Sequence, residues 1–188
     1  MTGAQASGKT TVGEGLARRL GRAVHVDGDV IDRFVIAGEV PYGVPPPPGA
    51  EEQLLLRYEG AMLVAALYAR SGFDAVVSDN IFGRHLDAVL RRAHELAPGR
   101  VHLVVLDPDE AVLARRDRER EKTGYDESLT PALLVAAVRE ETARAGLWVD
   151  NGAHSVEETV SFVLENLEAA RLQRLDSLGQ EPPETIGG

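Results

Sequence analysis

Residues Gly3-Ala4-Gln5-Ala6-Ser7-Gly8-Lys9-Thr10 set two glycines with four residues between them and follow them with a lysine and a hydroxyl. That pattern can cradle an oligophosphate. The glycines let the backbone curl until successive N–H groups point inward at phosphate oxygens, Lys9 can reach the β- and γ-phosphates, and the Thr10 hydroxyl can sit on Mg2+. The following stretch, Thr11 to Leu20, carries Val12, Leu16 and Leu20 on one face, as an amphipathic helix would. Its dipole would add positive potential under the same phosphates. Gly3 to Thr11 are therefore expected to contact nucleotide.

Carboxylates supply the next chemistry. His25-Val-Asp27-Gly-Asp29-Val-Ile-Asp32-Arg33 falls at the carboxyl end of a short apolar strand, the edge where open α/β sheets bind ligands. Asp27 or Asp29 could accept the proton of an attacking hydroxyl, and either could instead cap the next helix. Asp32 reads as a helix-face residue. Arg33 lies one turn beyond Asp29 and could hold a polar acceptor, with a solvated surface role as the alternative. Ala75-Val-Val-Ser-Asp79-Asn80-Ile-Phe-Gly-Arg84 ends a second apolar strand in a carboxylate able to order Mg2+ directly or through water. Asn80 and Arg84 follow on the same edge as further acceptor contacts. Arg116 and Arg120 are four apart on one helical face and could close over phosphates as a lid, unless they are simply solvated partners of nearby Asp and Glu. Asn151-Gly152 forms a tight turn that could wall a purine base.

The elements needed to position these groups alternate between short apolar runs and amphipathic stretches, the signature of a parallel sheet covered by helices. Strands are expected at 23–26, 75–78, 101–106 and 147–149. Helices are expected at 30–37, 51–71, 86–96, after Pro108, after Pro131 and after Ser155, where Ser155-Val-Glu-Glu158 spells a capping box. In the 51–71 helix, Leu55, Met62, Leu63 and Ala66 suit the core. A Pro- and Gly-rich loop spans 38–49. The pattern divides the chain into one domain over 1–171, with a lid at about 115–130, and a frayed tail over 172–188. Only Met1 and Thr2 precede Gly3, so the strand that should feed the loop is expected to be missing, and the chain is expected to be shortened relative to a longer natural form.

The 188-residue chain has a formal charge of −10, no cysteine and 44% hydrophobic residues. Those values suit a globular protein, exclude disulfides and thiolate chemistry, and argue against a surface for long nucleic acids. No apolar run approaches the ~20 residues of a membrane helix and no signal peptide is visible, so a cytoplasmic location is expected. The five histidines form no metal-ligating spacing, and Trp148 reads as a core residue.

The assembled motifs resemble the P-loop small-molecule kinases, in the branch of chloramphenicol phosphotransferase, gluconate kinase, adenylylsulfate kinase and the kinase half of polynucleotide kinase. The resemblance covers about 3–167 and lies in motif order more than identity. It matches the phosphate loop to Gly3–Thr10, the base segment to Asp27-Gly28-Asp29, the strand-end carboxylate to Asp79, an Arg-x-x-x-Arg lid to Arg116 and Arg120, and an adenine-contacting turn and helix to Asp150–Glu158. It implies a three-layer α/β P-loop fold, ATP, Mg2+ and transfer of the γ-phosphoryl group to a hydroxyl of a small metabolite or antibiotic. A nucleoside, nucleotide or polynucleotide end is the alternative acceptor. A nucleotide-binding switch without transfer is the alternative of another class, which the carboxylates and Arg pair disfavour. No guanine-specificity segment is present, so ATP is expected over GTP. The oligomeric state is not legible.

Overall fold

The β-branched-rich segment Val104-Val-Leu106 is buried at every position and so reads as the middle of a helix-covered sheet. The structure, a computed structural model, describes residues 1–119, 125 and 129–172. In chain order its strands are β1 (Thr2–Gly3), β2 (Ala23–Asp27), β3 (Asp74–Ser78), β4 (Val104–Leu106) and β5 (Leu147–Val149). Its helices are α1 (Lys9–Arg19), α2 (Gly28–Asp32), α3 (Ala50–Arg70), α4 (Arg84–Leu96), α5 (Glu110–Arg118), α6 (Pro131–Glu140), α7 (Val156–Glu165) and α8 (Leu167–Ala170). All named strand pairs are parallel: β2 with β3, β1 with β4, and β4 with β5.

The expectation that no strand feeds the phosphate loop is corrected. Thr2 and Gly3 pair with Val105 and Leu106. On the other side, Met1 N donates to Val77 O at 2.7 Å and Asp79 N donates to Met1 O at 3.3 Å. The first three residues thus lie between β3 and β4 and join the two halves of the sheet. Thr2 is fully enclosed there; its hydroxyl donates to Ile81 O at 2.6 Å and accepts from Ile81 N at 3.0 Å. A cavity of about 470 Å3, lined largely by apolar side chains of α3, α4, β3 and β4, adjoins Met1.

Strand alternation divides the core into two layers, because successive side chains point to opposite faces. Val104 and Leu106 face α1 and α7 with Val12, Leu16, Val160 and Val163, while Val105 faces α3, α4 and α6 with Tyr58, Met62, Leu86 and Leu134. This is the expected α/β sandwich. Element limits differ in instructive ways. The expected 30–37 helix is only Gly28–Asp32, and Phe34 to Pro48 run without regular structure. On α3, Met62 and Ala66 are buried as expected, but Leu55 and Leu63 are exposed and Tyr58, Ala61 and Ala65 complete the core face. The expected 101–106 strand shortens to Val104–Leu106, and His102 makes only an isolated bridge to Arg171. Trp148 is half-buried under the Arg144 guanidinium, 4.0 Å from its ring centre, and its Nε1 donates to Ala145 O. Ser155 and Glu158 form the full capping box. Half of the expected lid, including Arg120, and the expected tail beyond Leu172 lie outside the described residues. Leu172 itself is buried, and its N donates to Val101 O at 2.9 Å, so it belongs to the folded domain.

His25 illustrates how tightly β2 meets its neighbours. Its Nε2 lies 2.8 Å from Ser78 Oγ, and a Cβ on Gly13 would approach that nitrogen to 2.7 Å. Burial lowers its pKa below the ordinary value, with Asp27 and Glu14 opposing. Unfolded histidine titrates near ~6.5 and the folded one below that, so the folded state binds fewer protons between the two values. Its contribution to stability is complete above that pH and is lost as pH falls through the folded value. Urea midpoints measured from pH 7.5 down to 5.5 should therefore drop, and His25→Gln should show a shallower drop over the same range.

Candidate functional site

The turn from β1 to α1 carries the phosphate-loop pattern in the required strand–loop–helix setting. Gly3 (φ 145°) and Gly8 (φ 97°) both adopt positive φ, which L side chains resist. A Cβ on Gly3 would also collide with the Leu106 carbonyl. Ala6 takes positive φ as well, at 62°. Lys9 Nζ donates to Ala4 O at 2.8 Å, so its ammonium folds over the loop. Thr10 and Thr11 are exposed in the first turn of α1. Ser7 is buried, and its Oγ has no partner among the described residues.

Residues distant in sequence brace this loop from outside. Asn151, at the end of β5, is buried and donates from Nδ2 to Ser7 O at 2.9 Å. Arg116 on α5 donates from Nη1 to Ser7 O at 3.2 Å and from Nη2 to Asn151 O at 2.8 Å. Burial, with Arg115 beside it, lowers the Arg116 pKa from its ordinary value. Arg116 therefore is not a solvated helix residue; it ties the loop to the Asn151–Gly152 turn. Gly152 N donates to Asp150 Oδ1 at 2.9 Å, closing that turn. Tyr125 donates its hydroxyl to Gln5 O at 2.6 Å, and Asn80 Nδ2 donates to Gln5 Oε1 at 3.3 Å.

The carboxylates converge on a residue that sequence reading passed over, Arg57 of α3. Its Nε donates to Asp79 Oδ2 at 2.7 Å, and its Nη2 bonds both Asp79 Oδ1 and, at 3.1 Å, Asp29 Oδ1. Nη1 lies 3.7 Å from Asp32 Oδ1. Burial opposes the guanidinium charge, but Asp79, Asp29 and Asp32 together outweigh it and raise the pKa. Burial likewise pushes the Asp79 carboxyl upward, while Arg57 and the Asn80 N–H draw it back. The Asp79 side chain is wholly enclosed, whereas that of Asp29 is 65% exposed. Gly28 permits this packing, because a Cβ there would overlap the Asp79 carboxylate. The signal for Arg57 was present as a charge inside the apolar run Leu54-Leu-Leu-Arg57-Tyr58.

The remaining expected site residues separate. Asp27 caps α2, accepting from Asp29 N at 3.0 Å. Arg33 is exposed at the end of α2. Arg84 is exposed and paired with Glu51 at 2.8 Å. Among the described residues no group of three His, Cys, Asp or Glu has the disposition of a metal site.

The sequence profile of the AAA domain matches residues 1–145. The chain belongs to the AAA-domain family. Among curated proteins no sequence matches it. Its fold is that of P-loop kinases. A sugar kinase from Janibacter sp. HTCC2649 superposes with a TM-score of 0.64 at 19% identity, covering 90% of this chain and 92% of that one. An APS kinase from Mycobacterium tuberculosis, solved with AMPPNP and APS, gives 0.61 at 21%, covering 89% and 94%. A gluconokinase from Sinorhizobium meliloti 1021 gives 0.56 at 20%, covering 89% and 93%. In this AAA-domain chain no described helix is long and apolar enough to cross a membrane.

Removing Arg57 tests how far the fold rests on the cluster. A buried carboxylate left without its partner costs ~3–5 kcal/mol. Arg57→Met should lower the unfolding free energy by about 3 kcal/mol, the low end of that range because Asp79 can be protonated. Urea denaturation at pH 7 measures it, and the deficit should shrink at pH 5 as Asp79 takes up a proton.

Proposed function

We propose that this AAA-domain protein is an ATP-dependent kinase that transfers the γ-phosphoryl group to a hydroxyl of a small molecule. The observation that carries the reading is the meeting, at one sheet edge, of a glycine-framed loop and helix N-terminus with an exposed carboxylate held by Arg57. The loop suits anionic phosphate, since its backbone is already curled, its helix supplies positive potential, and the buried Ser7 Oγ has bonding capacity to spare. The donor set also suits Mg2+. That ion takes few protein ligands and keeps water and phosphate oxygens, so the exposed Thr10 hydroxyl beside the phosphates suffices as the protein's share, Asp79 being bonded through both oxygens to Arg57.

In this reading Gly3 to Thr11 hold the phosphates and Thr10 would hold Mg2+; the Asp79 carboxylate, expected as a second ligand, is instead enclosed and committed to Arg57. When bound, the metal neutralises charge on the β- and γ-phosphates. Lys9 leaves the Ala4 carbonyl and turns its ammonium to the transferring phosphoryl group. Asn151 and Gly152 lie beside the base. Arg116 keeps the loop and the Asn151 turn in register and adds charge near the phosphates, with Arg120 as its expected companion. Asp29 accepts the acceptor's proton; it is the more exposed carboxylate, whereas an Asp27 oxygen is engaged in capping α2. Asn80 lines the same edge, with Arg33 and Arg84 farther out. The reaction is placed in the cytoplasm, where ATP is supplied. A switch without transfer has less support, since it needs no proton acceptor beside the loop.

Two measurements bear on this. Lys9→Ala should cut acceptor-dependent ADP release by at least ~100-fold, by analogy with loss of a preorganised charge donor, with an unchanged circular dichroism spectrum. Wild-type turnover in that variant would remove the loop from the chemistry. Asp29→Asn should depress kcat while leaving ATP affinity within about twofold, as loss of a proton acceptor does. Asp27→Asn should keep most of its kcat, because Asn also caps helices well.

A further inference from the structure

Resting on the kinase reading above, we propose that the acceptor is a hydroxyl compound with an apolar body and no negative charge. Two independent features of the Asp29 side of the site lead there.

Charge is the first. Arg57 is the cation nearest Asp29, and it is already shared among Asp79, Asp29 and Asp32. Asp27 adds a fourth carboxylate one residue before Gly28. Arg84 is committed to Glu51 on the surface, and Arg33 is exposed beyond the end of α2. An anionic acceptor would enter a field of carboxylates whose nearest guanidinium has no share left to offer. Anion-selective sites do the opposite and leave a fork of arginine donors open.

The second feature is the segment from Phe34 to Pro48. It leaves α2 two residues past Asp32 and re-enters at α3, whose Arg57 reaches back to Asp29. Gln53, one turn before Arg57, pins its middle: Oε1 accepts from Val40 N at 2.9 Å and Nε2 donates to Gly38 O at 2.8 Å. Both ends and the pinned middle of this strap are thus fixed to the frame of the carboxylate cluster. Between them it shows large apolar side chains to solvent: Phe34 is 68% exposed and Ile36 91%, with Val35, Tyr42 and Val44 also exposed. Val30, next to Asp29, is exposed too. Exposed apolar side chains concentrated along one strap in this way mark a binding face. A polyol or sugar acid would want hydrogen-bonding side chains along the strap, and from Phe34 to Val44 only Glu39 and the Tyr42 hydroxyl offer them. The face begins one residue from the proposed base, so the occupant it fits is the acceptor's own body, held with its hydroxyl at Asp29.

The test is acceptor-dependent ADP release with ATP and Mg2+ for three sets of probes: 3-phenyl-1,2-propanediol and hexane-1,2-diol; glycerol and glucose; gluconate and shikimate. ATP binding is measured separately by calorimetry. The apolar diols should give a kcat/KM at least ten times that of either other set. Phe34→Ser/Ile36→Ser should lower that value at least tenfold, mainly through KM, with ATP affinity within twofold of wild type. Highest turnover on polyols or sugar acids would overturn this inference and leave the kinase reading standing. Unchanged kcat/KM in the double variant would also overturn it, including where sedimentation shows that the strap instead joins two copies of the chain. ATP binding without turnover on any probe would overturn the kinase reading, and this inference with it.

Discussion

A carboxylate with no solvent exposure must find a cation or lose its charge, and Asp79 finds Arg57. That pairing ties together elements that share no local sequence. Arg57 comes from the long helix α3, Asp79 from the end of β3, and Asp29 and Asp32 from the short helix after β2. Because the guanidinium is planar and its donors diverge, one side chain can bond Asp79 through Nε and Nη2 and still reach Asp29. Lysine could supply the charge but not the fork. The glycine at position 28 belongs to the same constraint: β2 must turn into α2 against the Asp79 carboxylate, where no Cβ fits.

The phosphate loop depends on a second set of long-range bonds. A loop that points its N–H groups inward turns some of its carbonyls outward, and these need donors of their own. Ser7 O receives both Asn151 Nδ2 and Arg116 Nη1, while Gln5 O receives the Tyr125 hydroxyl. The outward carbonyls are thus held from α5, from the turn after β5 and from Tyr125, and the loop keeps its shape before any ligand arrives. That is preorganisation in the physical sense, since the ordering is built into the fold and need not be supplied by binding.

Legibility of the sequence followed the range of the interactions. The phosphate loop, the capping box at Ser155 and the central apolar strands are local patterns, and each appears where its pattern lies. The expected 30–37 helix overshoots α2 because Val30 and Ile31 suggest continuation, whereas the apolar residues after Asp32 face solvent instead of the core. Leu55 and Leu63 of α3 misled for a related reason: a helix this rich in apolar residues has no single obvious face, and Tyr58 with three alanines makes the closer fit to the sheet. The stub at Thr2–Gly3 escapes any criterion of strand length, because pairing to both neighbours decides. Arg57 and the bracing role of Arg116 rest on contacts more than 20 residues apart in sequence, which no periodicity encodes.

The same residue type does different work at Asp79 and Asp29, and environment makes the difference. Asp79 is enclosed, and most of its lone pairs are taken by Arg57 and the Asn80 N–H. Asp29 shares only the outer edge of that guanidinium and keeps most of its surface in water. Two carboxylates beside a polyphosphate would repel it if both were bare. Pairing the inner one with Arg57 lowers the negative potential facing the loop, yet leaves the outer one free to accept a proton. The proposed reaction, which binds an anion on one side and abstracts a proton on the other, needs its charges divided in this way. The arginine achieves the division because it bonds Asp79 through two nitrogens and Asp29, the proposed proton acceptor, through one.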